Sequence, residues 1–288
     1  MVVTVEFLQP STWDEALAAK AAVPAAVPIA GGTDVMVDLN FDRRRPEALL
    51  DLGRVAELAE WTTEDGRVRI GATVSYTRII DELGTRLPGL ARASRTVGSP
   101  QIRNRGTVGG NLGSASPAGD AHPPLLATGA RVEIASVRGV RQVPVSDFFT
   151  GPKRSVLAPD ELIAAVLVDA ADGPQQFAKV GTRNAMVIAV CSFALALEPS
   201  RRRAGTGIGS AAPTPVRAHG AEELLGAELP WESRAALPDP LARRFGELVA
   251  AAASPIDDVR GTAAYRRHAL AVMARRTLTW AWGEYRCA

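Results

Sequence analysis

The sequence predicts an α+β protein that divides into two domains. Three observations support this prediction: the length of the chain, a change of pattern along it, and a polar break between the two parts. A chain of 288 residues suits two domains, since a domain typically holds about 100–200 residues. Strand and helix patterns alternate before the segment AADGPQ, whereas strands precede helices after it. We therefore predict domains at residues 1–172 and 173–288, the first with lobes at about 1–53 and 54–172.

The first lobe is predicted to be a small βαβ-like unit. Thr12 and Glu15 form a capping box, which indicates that a helix begins at this point of the chain. The predicted elements are a strand over Val2–Leu8, a helix ending near Ala22, a strand over Val27–Ala30, a turn over Gly31–Asp34 and a strand over Ala48–Leu52.

The pattern restarts at Gly66 with a strand in which apolar residues alternate with polar ones. Thr73 then predicts the cap of a helix, because its hydroxyl can accept a bond from the first helical turn. The predicted elements are a strand through Val68, Ile70 and Ala72, helices ending near Leu83 and covering Leu87–Thr96 and Pro124–Thr128, a hairpin of Arg131–Val137 and Gln142–Val145, and a strand over Glu161–Val168.

The second domain is predicted to hold strands followed by helices. The run GTGIGS at Gly205–Ser210 imitates a dinucleotide-binding fingerprint, but its third glycine is one position early, so we predict a strand end entering a loop. The predicted elements are strands at Gln176–Val180 and Ile188–Leu197, and helices at Ala218–Leu225, Pro240–Ala253 and Thr262–Tyr285. The last helix has a stripe at helical spacing that is predicted to face the core: Leu270, Met273, Thr277 and Trp280.

The composition is that of a folded globular protein, with 47% apolar residues, 22% charged residues and a net charge of +2. The basic clusters Arg43–Arg45 and Arg201–Arg203 lack the interleaved aromatic residues of a nucleic-acid platform, so no nucleic acid is predicted as a partner. The first residues show no basic signal-peptide segment. No transmembrane segment is predicted, because the apolar stretches are too short or too broken by proline.

No motif for metal binding or for acid–base or covalent catalysis is found. The two cysteines, Cys191 and Cys287, have the spacing of neither a disulfide framework nor a metal site, which indicates a reduced, cytoplasmic setting. The three histidines, His122, His219 and His268, are isolated and are predicted to be structural or exposed. P-loop, HExxH and GxSxG motifs are absent from the sequence, so we predict neither catalytic residues nor metal ligands.

The most informative segment is Gln101–Asp120, QIRNRGTVGGNLGSASPAGD, which contains five glycines. It has too little apolar content for a core and too many glycines for a regular element. We predict that it brings bare backbone N–H groups against an anion. A second double glycine, Gly31-Gly32, predicts the same role, and two such loops on one chain suit a diphosphate.

The side chains beside the double glycines fit a dinucleotide ligand. Thr33 and Thr107 offer hydroxyl donors, and Asn111 offers both a donor and an acceptor. Asp34 and Asp120 are acceptors, which suit sugar hydroxyls or ring N–H groups and not phosphate.

The segments IRNRGTVGGNLGSASPAGD and PIAGGTDVMVDL closely resemble the flavin-binding medium subunit of the molybdenum hydroxylases, which include the carbon monoxide, xanthine and aldehyde dehydrogenase assemblies. The resemblance continues in KVGTRNAMVIAVCSFAL, APTPVRAHGAEELL and TAAYRRHALAVMARRTL, so it covers nearly the whole chain in order. It implies a two-lobed FAD-binding domain of the kind shared with vanillyl-alcohol oxidase. A carboxy-terminal domain of a three-stranded sheet with helices is implied to follow.

The resemblance also implies which residues bind FAD. Asp120 matches an aspartate that touches the flavin, Lys179 matches a lysine near the ring, and Leu162 or Ile163 matches an apolar contact. Relatives often have an aromatic residue near Val97. No role is assigned to His122. The implied FAD-binding residues are Pro28, Ile29, Ala30, Gly31, Gly32, Thr33, Asp34, Val35, Thr107, Gly109, Gly110, Asn111, Ser114, Asp120, Leu162 and Lys179.

The resemblance implies an electron-transfer subunit that works with a large molybdopterin-binding subunit and a small [2Fe–2S] subunit. Electrons from the clusters would pass through FAD to a terminal acceptor, while the substrate is chosen on another polypeptide. Two alternatives stay open. One is a self-contained flavin oxidase or reductase, for which the sequence offers no catalytic acid or base. The other is a non-enzymatic flavin-binding assembly protein.

Overall fold

The computed structural model describes residues 5–288, so the start of the predicted strand Val2–Leu8 lies outside the described residues. The elements of the first lobe are β1 (Glu6–Leu8), α1 (Trp13–Ala22), β2 (Val27–Ile29), α2 (Val35–Asn40) and β3 (Ala48–Asp51). The strands are parallel, in the order β1-β3-β2. The capping box of α1 is confirmed, because the Thr12 hydroxyl accepts from the Glu15 amide and the Glu15 carboxylate accepts from the Thr12 amide.

The second lobe is built on a larger sheet. Its strands are β4 (Trp61–Glu64), β5 (Arg67–Gly71), β6 (Arg131–Ser136), β7 (Gly139–Pro144), β8 (Phe149–Gly151), β9 (Arg154–Ser155) and β10 (Leu162–Asp169). Five of them form an antiparallel sheet in the order β4-β5-β10-β6-β7, and β8 pairs with β9. The helices are α3 (Tyr76–Glu82), α4 (Pro88–Ser94), α5 (Pro100–Arg105), α6 (Val108–Ser114), α7 (His122–Ala127) and α8 (Val145–Phe148).

The glycine-rich run contains regular structure, so the prediction of an irregular segment there is wrong. Helix α5 begins after Ser99, whose hydroxyl accepts from the Ile102 amide, and α6 begins after Thr107, whose hydroxyl accepts from the Gly110 amide. Each cap satisfies a donor that a helix start leaves free. The capping bonds, with tertiary support, offset the helix cost of about 1 kcal/mol per glycine.

The predicted cap at Thr73 is also wrong. Helix α3 begins two residues later, and its cap is Ser75, whose hydroxyl accepts from the Arg78 amide at 3.3 Å. The Thr73 amide donates instead to the Leu58 carbonyl, which places Thr73 in the turn that follows β5. Helix α2 is missing from the sequence prediction because its six residues are too few to show a helical period.

One hydrophobic core joins the two lobes. Leu50 of the parallel sheet, Ile70 and Val166 of the antiparallel sheet, and Leu112 of α6 are all fully buried in it. Both sheets contribute to the same core, so the two lobes are packed together. The loops between the lobes are therefore anchored at buried strands and helices.

The second domain matches the prediction of a three-stranded sheet with helices. Its elements are β11 (Gln175–Val180), β12 (Cys191–Glu198), β13 (Arg203–Gly209), α9 (His219–Glu228), α10 (Asp239–Ala252) and α11 (Ala263–Cys287). The strands are antiparallel in the order β11-β12-β13. The run GTGIGS lies largely in β13, where a Cβ at Gly205 or Gly207 would overlap backbone of α7. Because these two residues have no side chain, β13 packs directly on α7. This packing joins the two domains.

The stripe predicted for the last helix is correct in part. Leu270, Met273 and Thr277 are buried, whereas Trp280 is 50% exposed. Trp282 is buried instead, and its indole N–H donates to the Ala235 carbonyl at 2.8 Å. Near its end α11 bonds to the segment before α10, and the buried face there includes Trp282 and not Trp280.

The cap of α3 can be tested directly. We expect Ser75→Ala to lower the free energy of unfolding by about 1 kcal/mol, because a helix start loses its side-chain acceptor. Thr73→Ala is the control and should change it by less than about 0.5 kcal/mol. Denaturant titration of both variants measures the difference, and equal losses would contradict the assignment of the cap.

Candidate cofactor site

The first glycine loop connects β2 to α2. It runs from Ala30 to Asp34, which occupies the N-cap position of α2, and Gly32 adopts a positive φ of 76°. Within residues 5–288, the backbone amides of Gly31, Gly32 and Thr33 donate to no acceptor of the chain. Three consecutive amides without partners are donors that an anionic ligand can use.

The second glycine loop differs from the first because its amides are already bonded. The Gly109 amide donates to the Ala72 carbonyl at 3.1 Å, and the Gly110 amide donates to the Thr107 hydroxyl at 3.0 Å. A Cβ at Gly109 would lie 2.5 Å from the Ala72 carbonyl oxygen, so glycine allows α6 to pack on the turn after β5. Gly110 is exposed, and a Cβ there would meet only the Thr107 hydroxyl oxygen, at 3.0 Å.

The two loops lie against each other. A Cβ at Gly31 would overlap the carbonyl of Arg105, and it would lie 3.1 Å from the Gly106 nitrogen. Only glycine permits this approach of backbone to backbone. The first loop, with its free amides, therefore lies against the backbone of Arg105 and Gly106, just before α6.

A buried ion pair lies next to the second loop. The Lys179 ammonium of β11 donates to the Asp120 carboxylate at 2.5 Å and to the Thr96 carbonyl at 3.2 Å. The Thr96 hydroxyl also donates to Asp120, at 3.1 Å. Burial raises the pKa of Asp120, and the Lys179 charge and these hydrogen bonds oppose that rise. The pair links the second domain to the end of the glycine-rich run.

His122 is buried behind the second loop, so the prediction of a structural histidine fits it, whereas His219 and His268 are exposed. Its Nε2 lies 3.2 Å from the Asn111 carbonyl oxygen, and its ring packs on Phe149 with a centroid distance of 4.6 Å. Burial lowers its pKa from 6.5 to about 4 and outweighs the nearby backbone carbonyls, which favour the charged form.

Buried polar atoms without partners concentrate in this region. Across residues 5–288, such atoms occur at five side chains, and four of these belong to the site: Tyr76, Asn111, Asp120 and His122. The atoms are the Tyr76 hydroxyl, one oxygen each of Asn111 and Asp120, and one ring nitrogen of His122. Buried polar groups are normally hydrogen-bonded, so this concentration indicates a ligand or bound water.

The other predicted residues lie in elements next to the glycine loops, except Leu162 of β10. Pro28 and Ile29 belong to β2, and Val35 begins α2. The Ser114 hydroxyl donates to the Asn111 carbonyl at 2.9 Å. Leu162 is buried in the core, whereas Cδ1 of its neighbour Ile163 would lie 3.9 Å from a Cβ at Gly113.

Sequence reasoning missed Thr96 and Tyr76. Thr96 contacts both members of the ion pair, and Tyr76 lies at the start of α3 with its amide donating to the Gly106 carbonyl at 3.0 Å. Neither residue belongs to a motif, so only the three-dimensional contact reveals them.

In the part of the chain that the structure describes, no group of three or more His, Cys, Asp or Glu side chains is placed to hold a metal ion. No helix among residues 5–288 has the length and apolar character needed to cross a membrane.

Comparison with known proteins identifies the family. Residues 3–169 match the FAD binding domain in molybdopterin dehydrogenase, and residues 176–281 match the CO dehydrogenase flavoprotein C-terminal domain. The chain belongs to this family of FAD-binding subunits. Such subunits occur in oxidoreductase complexes of the molybdenum hydroxylase class, and the cofactor of the family is FAD.

Relatives with different substrates share this architecture. The xanthine dehydrogenase FAD-binding subunit of Escherichia coli O157:H7 is 32% identical over 271 residues, which cover 89% of this chain and 88% of the relative. The carbon monoxide dehydrogenase medium chain of Hydrogenophaga pseudoflava is 30% identical over 268 residues, 90% of each chain. The solved structure of quinoline 2-oxidoreductase from Pseudomonas putida 86 matches with a TM-score of 0.90 at 25% identity, covering 98% of both chains.

The residues present fit the cofactor of the family. FAD contains a diphosphate, and the free amides of Gly31, Gly32 and Thr33 are suited to its oxygens. The unpartnered oxygens that Asn111 and Asp120 have within the described chain are suited to hydroxyl or N–H donors of such a ligand.

A pair of glycine substitutions separates cofactor binding from packing. We expect Gly110→Val to fold normally and to lose FAD, because Gly110 is exposed and added bulk would block the approach of the cofactor. Gly31→Ala should also destabilise the protein, by roughly 1–3 kcal/mol or more, because its Cβ overlaps the Arg105 carbonyl. Thermal unfolding of the apoprotein and FAD titration measure the two effects. Normal FAD affinity in Gly110→Val would show that the cofactor lies elsewhere.

Because His122 is buried, we expect the free energy of unfolding to fall in acid. The unfolded chain binds this proton near pH 6.5 and the folded chain only near pH 4, so stability falls between these values as pH is lowered. The free energy of unfolding should fall by about 3 kcal/mol, because each unit of difference between the two pKa values corresponds to about 1.36 kcal/mol. His122→Gln should remove this part of the pH dependence, whereas His268→Gln, at an exposed position, should not. Parallel curves for all three proteins in denaturant titrations from pH 7 to 4 would contradict the prediction.

Proposed function

We propose that this chain passes electrons from iron–sulfur clusters on a partner subunit, through FAD, to a terminal acceptor. The membership of the family supports the proposal, because the family consists of FAD-binding subunits of dehydrogenases. The observation that carries it is the contact of Gly31 with Arg105. This contact brings the segment with three free amides against the backbone of Arg105 and Gly106, and we propose that the two distant segments together form one anion-binding site.

The residues proposed to hold FAD include both segments of this contact. The amides of Gly31–Thr33 would bind the diphosphate, while Gly109 and Gly110 leave room for it. Asp120 and Lys179 are proposed to lie at the flavin end, as the resemblance to the family implies. The remaining proposed contacts are Pro28, Ile29, Ala30, Asp34, Val35, Thr107, Asn111, Ser114 and Leu162.

FAD supplies the exchange of single electrons with clusters and of electron pairs with an acceptor, while the protein sets its orientation and environment. The buried pair of Asp120 and Lys179 keeps two fixed charges in a site with little water. Fixed charges in a dry environment act on a bound group more strongly than charges in water do. We propose that this pair helps to set the reduction potential of the flavin.

The partners are proposed from the names of the relatives. One relative is the medium chain of a carbon monoxide dehydrogenase, and another is the FAD-binding subunit of a xanthine dehydrogenase. We propose that this chain likewise assembles with a large molybdopterin-binding subunit and a small [2Fe–2S] subunit. The setting is proposed to be cytoplasmic, which the thiols of Cys191 and Cys287 support, since both are free within the described residues.

The electron-transfer role is tested with the assembled complex. The purified complex should be yellow, should release FAD on denaturation, and should show bleaching of the flavin absorbance when the partner clusters are reduced. A complex that contains the Gly110→Val variant is the control, since it should assemble without FAD and show no such change.

The alternatives give different results in the same experiment. A folded chain that takes up no FAD would contradict the proposal. FAD that stays oxidised while the clusters are reduced would indicate an assembly protein. Turnover of a small substrate by the chain alone would indicate a self-contained oxidase or reductase.

A further inference from the structure

Tyr76 has a buried polar group that neither the family resemblance nor the proposed contacts use. The residue is 2% exposed, and its hydroxyl has no hydrogen-bond partner within residues 5–288. A buried hydroxyl in this state is unfavourable, and it normally finds a partner in a ligand or a bound water.

Tyr76 lies at the contact between the two glycine loops. Its amide donates to the Gly106 carbonyl at 3.0 Å, and a Cβ at Gly106 would lie 3.3 Å from the Tyr76 ring. Gly31 of the first loop contacts the same residue, since its Cβ would lie 3.1 Å from the Gly106 nitrogen. Tyr76 and the first loop therefore share Gly106 as a neighbour.

The charges around the hydroxyl come from both ends of the proposed site. Burial raises the pKa of Tyr76 well above its usual range, and the carboxylates of Asp120 and Asp34 raise it further. Asp34 ends the first loop, while Asp120 is paired with Lys179. The hydroxyl thus keeps its proton and lies within electrostatic reach of both segments. It is available as a donor.

We propose that Tyr76 is a further FAD-binding residue, whose hydroxyl donates a hydrogen bond to the diphosphate of the cofactor. The inference rests on the proposed site between the glycine loops. A neutral phenol suits an anionic oxygen, because it donates one bond without adding a charge. The diphosphate is the ligand group that the free amides of Gly31–Thr33 are also placed to receive.

Tyr76→Phe tests the proposal, because it removes the hydroxyl and retains the ring that packs on Gly106. The dissociation constant for FAD should rise about tenfold or more, as expected for a hydrogen bond to a charged group. The melting temperature of the apoprotein should stay the same or rise, since a buried hydroxyl without a partner is removed. FAD titration and thermal unfolding measure the two quantities.

Binding of a second ligand, ADP, shows which part of FAD accepts the hydrogen bond from Tyr76. ADP contains the diphosphate without the flavin ring, so Tyr76→Phe should weaken ADP and FAD by the same factor. The visible spectrum and reduction potential of bound FAD should not change. Tyr265→Phe is the matched control, because Tyr265 is half exposed on α11 and should affect none of these measurements.

The outcomes separate this inference from the proposed function. Unchanged FAD affinity in Tyr76→Phe would overturn the inference alone. A clear loss of apoprotein stability would do so as well, because the hydroxyl would then already have a partner. A shifted flavin potential with unchanged ADP affinity would place the bond on the ring and overturn the diphosphate assignment. If the unaltered protein binds neither FAD nor ADP, the proposed function is overturned too.

Discussion

The approach of the Gly31 backbone to the Arg105 carbonyl is the contact on which the rest of the site depends. It is made by backbone on both sides, so no rotamer change can relieve it and only glycine fits at residue 31. The two segments come from different lobes, and the core that includes Leu50 and Ile70 fixes those lobes relative to each other. Close packing therefore places free amides where an anion can reach them.

The two glycine loops are unequal, although their sequences suggest the same role. The amides of Gly31, Gly32 and Thr33 are free within the described residues, whereas those of Gly109 and Gly110 are used inside the protein. The first loop can thus donate to a ligand, while the second exposes backbone without a side chain at Gly110. Such a division suits a tightly held cofactor, because little of the site has to be ordered upon binding.

Sequence patterns predicted the features that depend on local chemistry. The capping box at Thr12 and most of the strands follow from residues close together in the chain, and the structure confirms them. The short strands β4, β8 and β9 were not predicted. The features that were predicted wrongly depend on contacts between distant segments. Helices α5 and α6 form in a glycine-rich run because caps and the Ala72 carbonyl hold them. Trp280 is exposed, and Trp282 is buried in its place, where it donates to the Ala235 carbonyl of a distant segment. The assignments of Asp120 and Lys179 to FAD stay predictions.

The second domain contributes one member of the buried ion pair in the candidate site. Lys179 belongs to β11, yet it donates to the carboxylate of Asp120 on the other domain. Without this ammonium, Asp120 would be a buried charge with no cationic partner, which is strongly unfavourable. The domains can supply such a pair only if their separation is fixed. Gly205 and Gly207 fix it, because they let β13 pack on the backbone of α7, which begins two residues after Asp120.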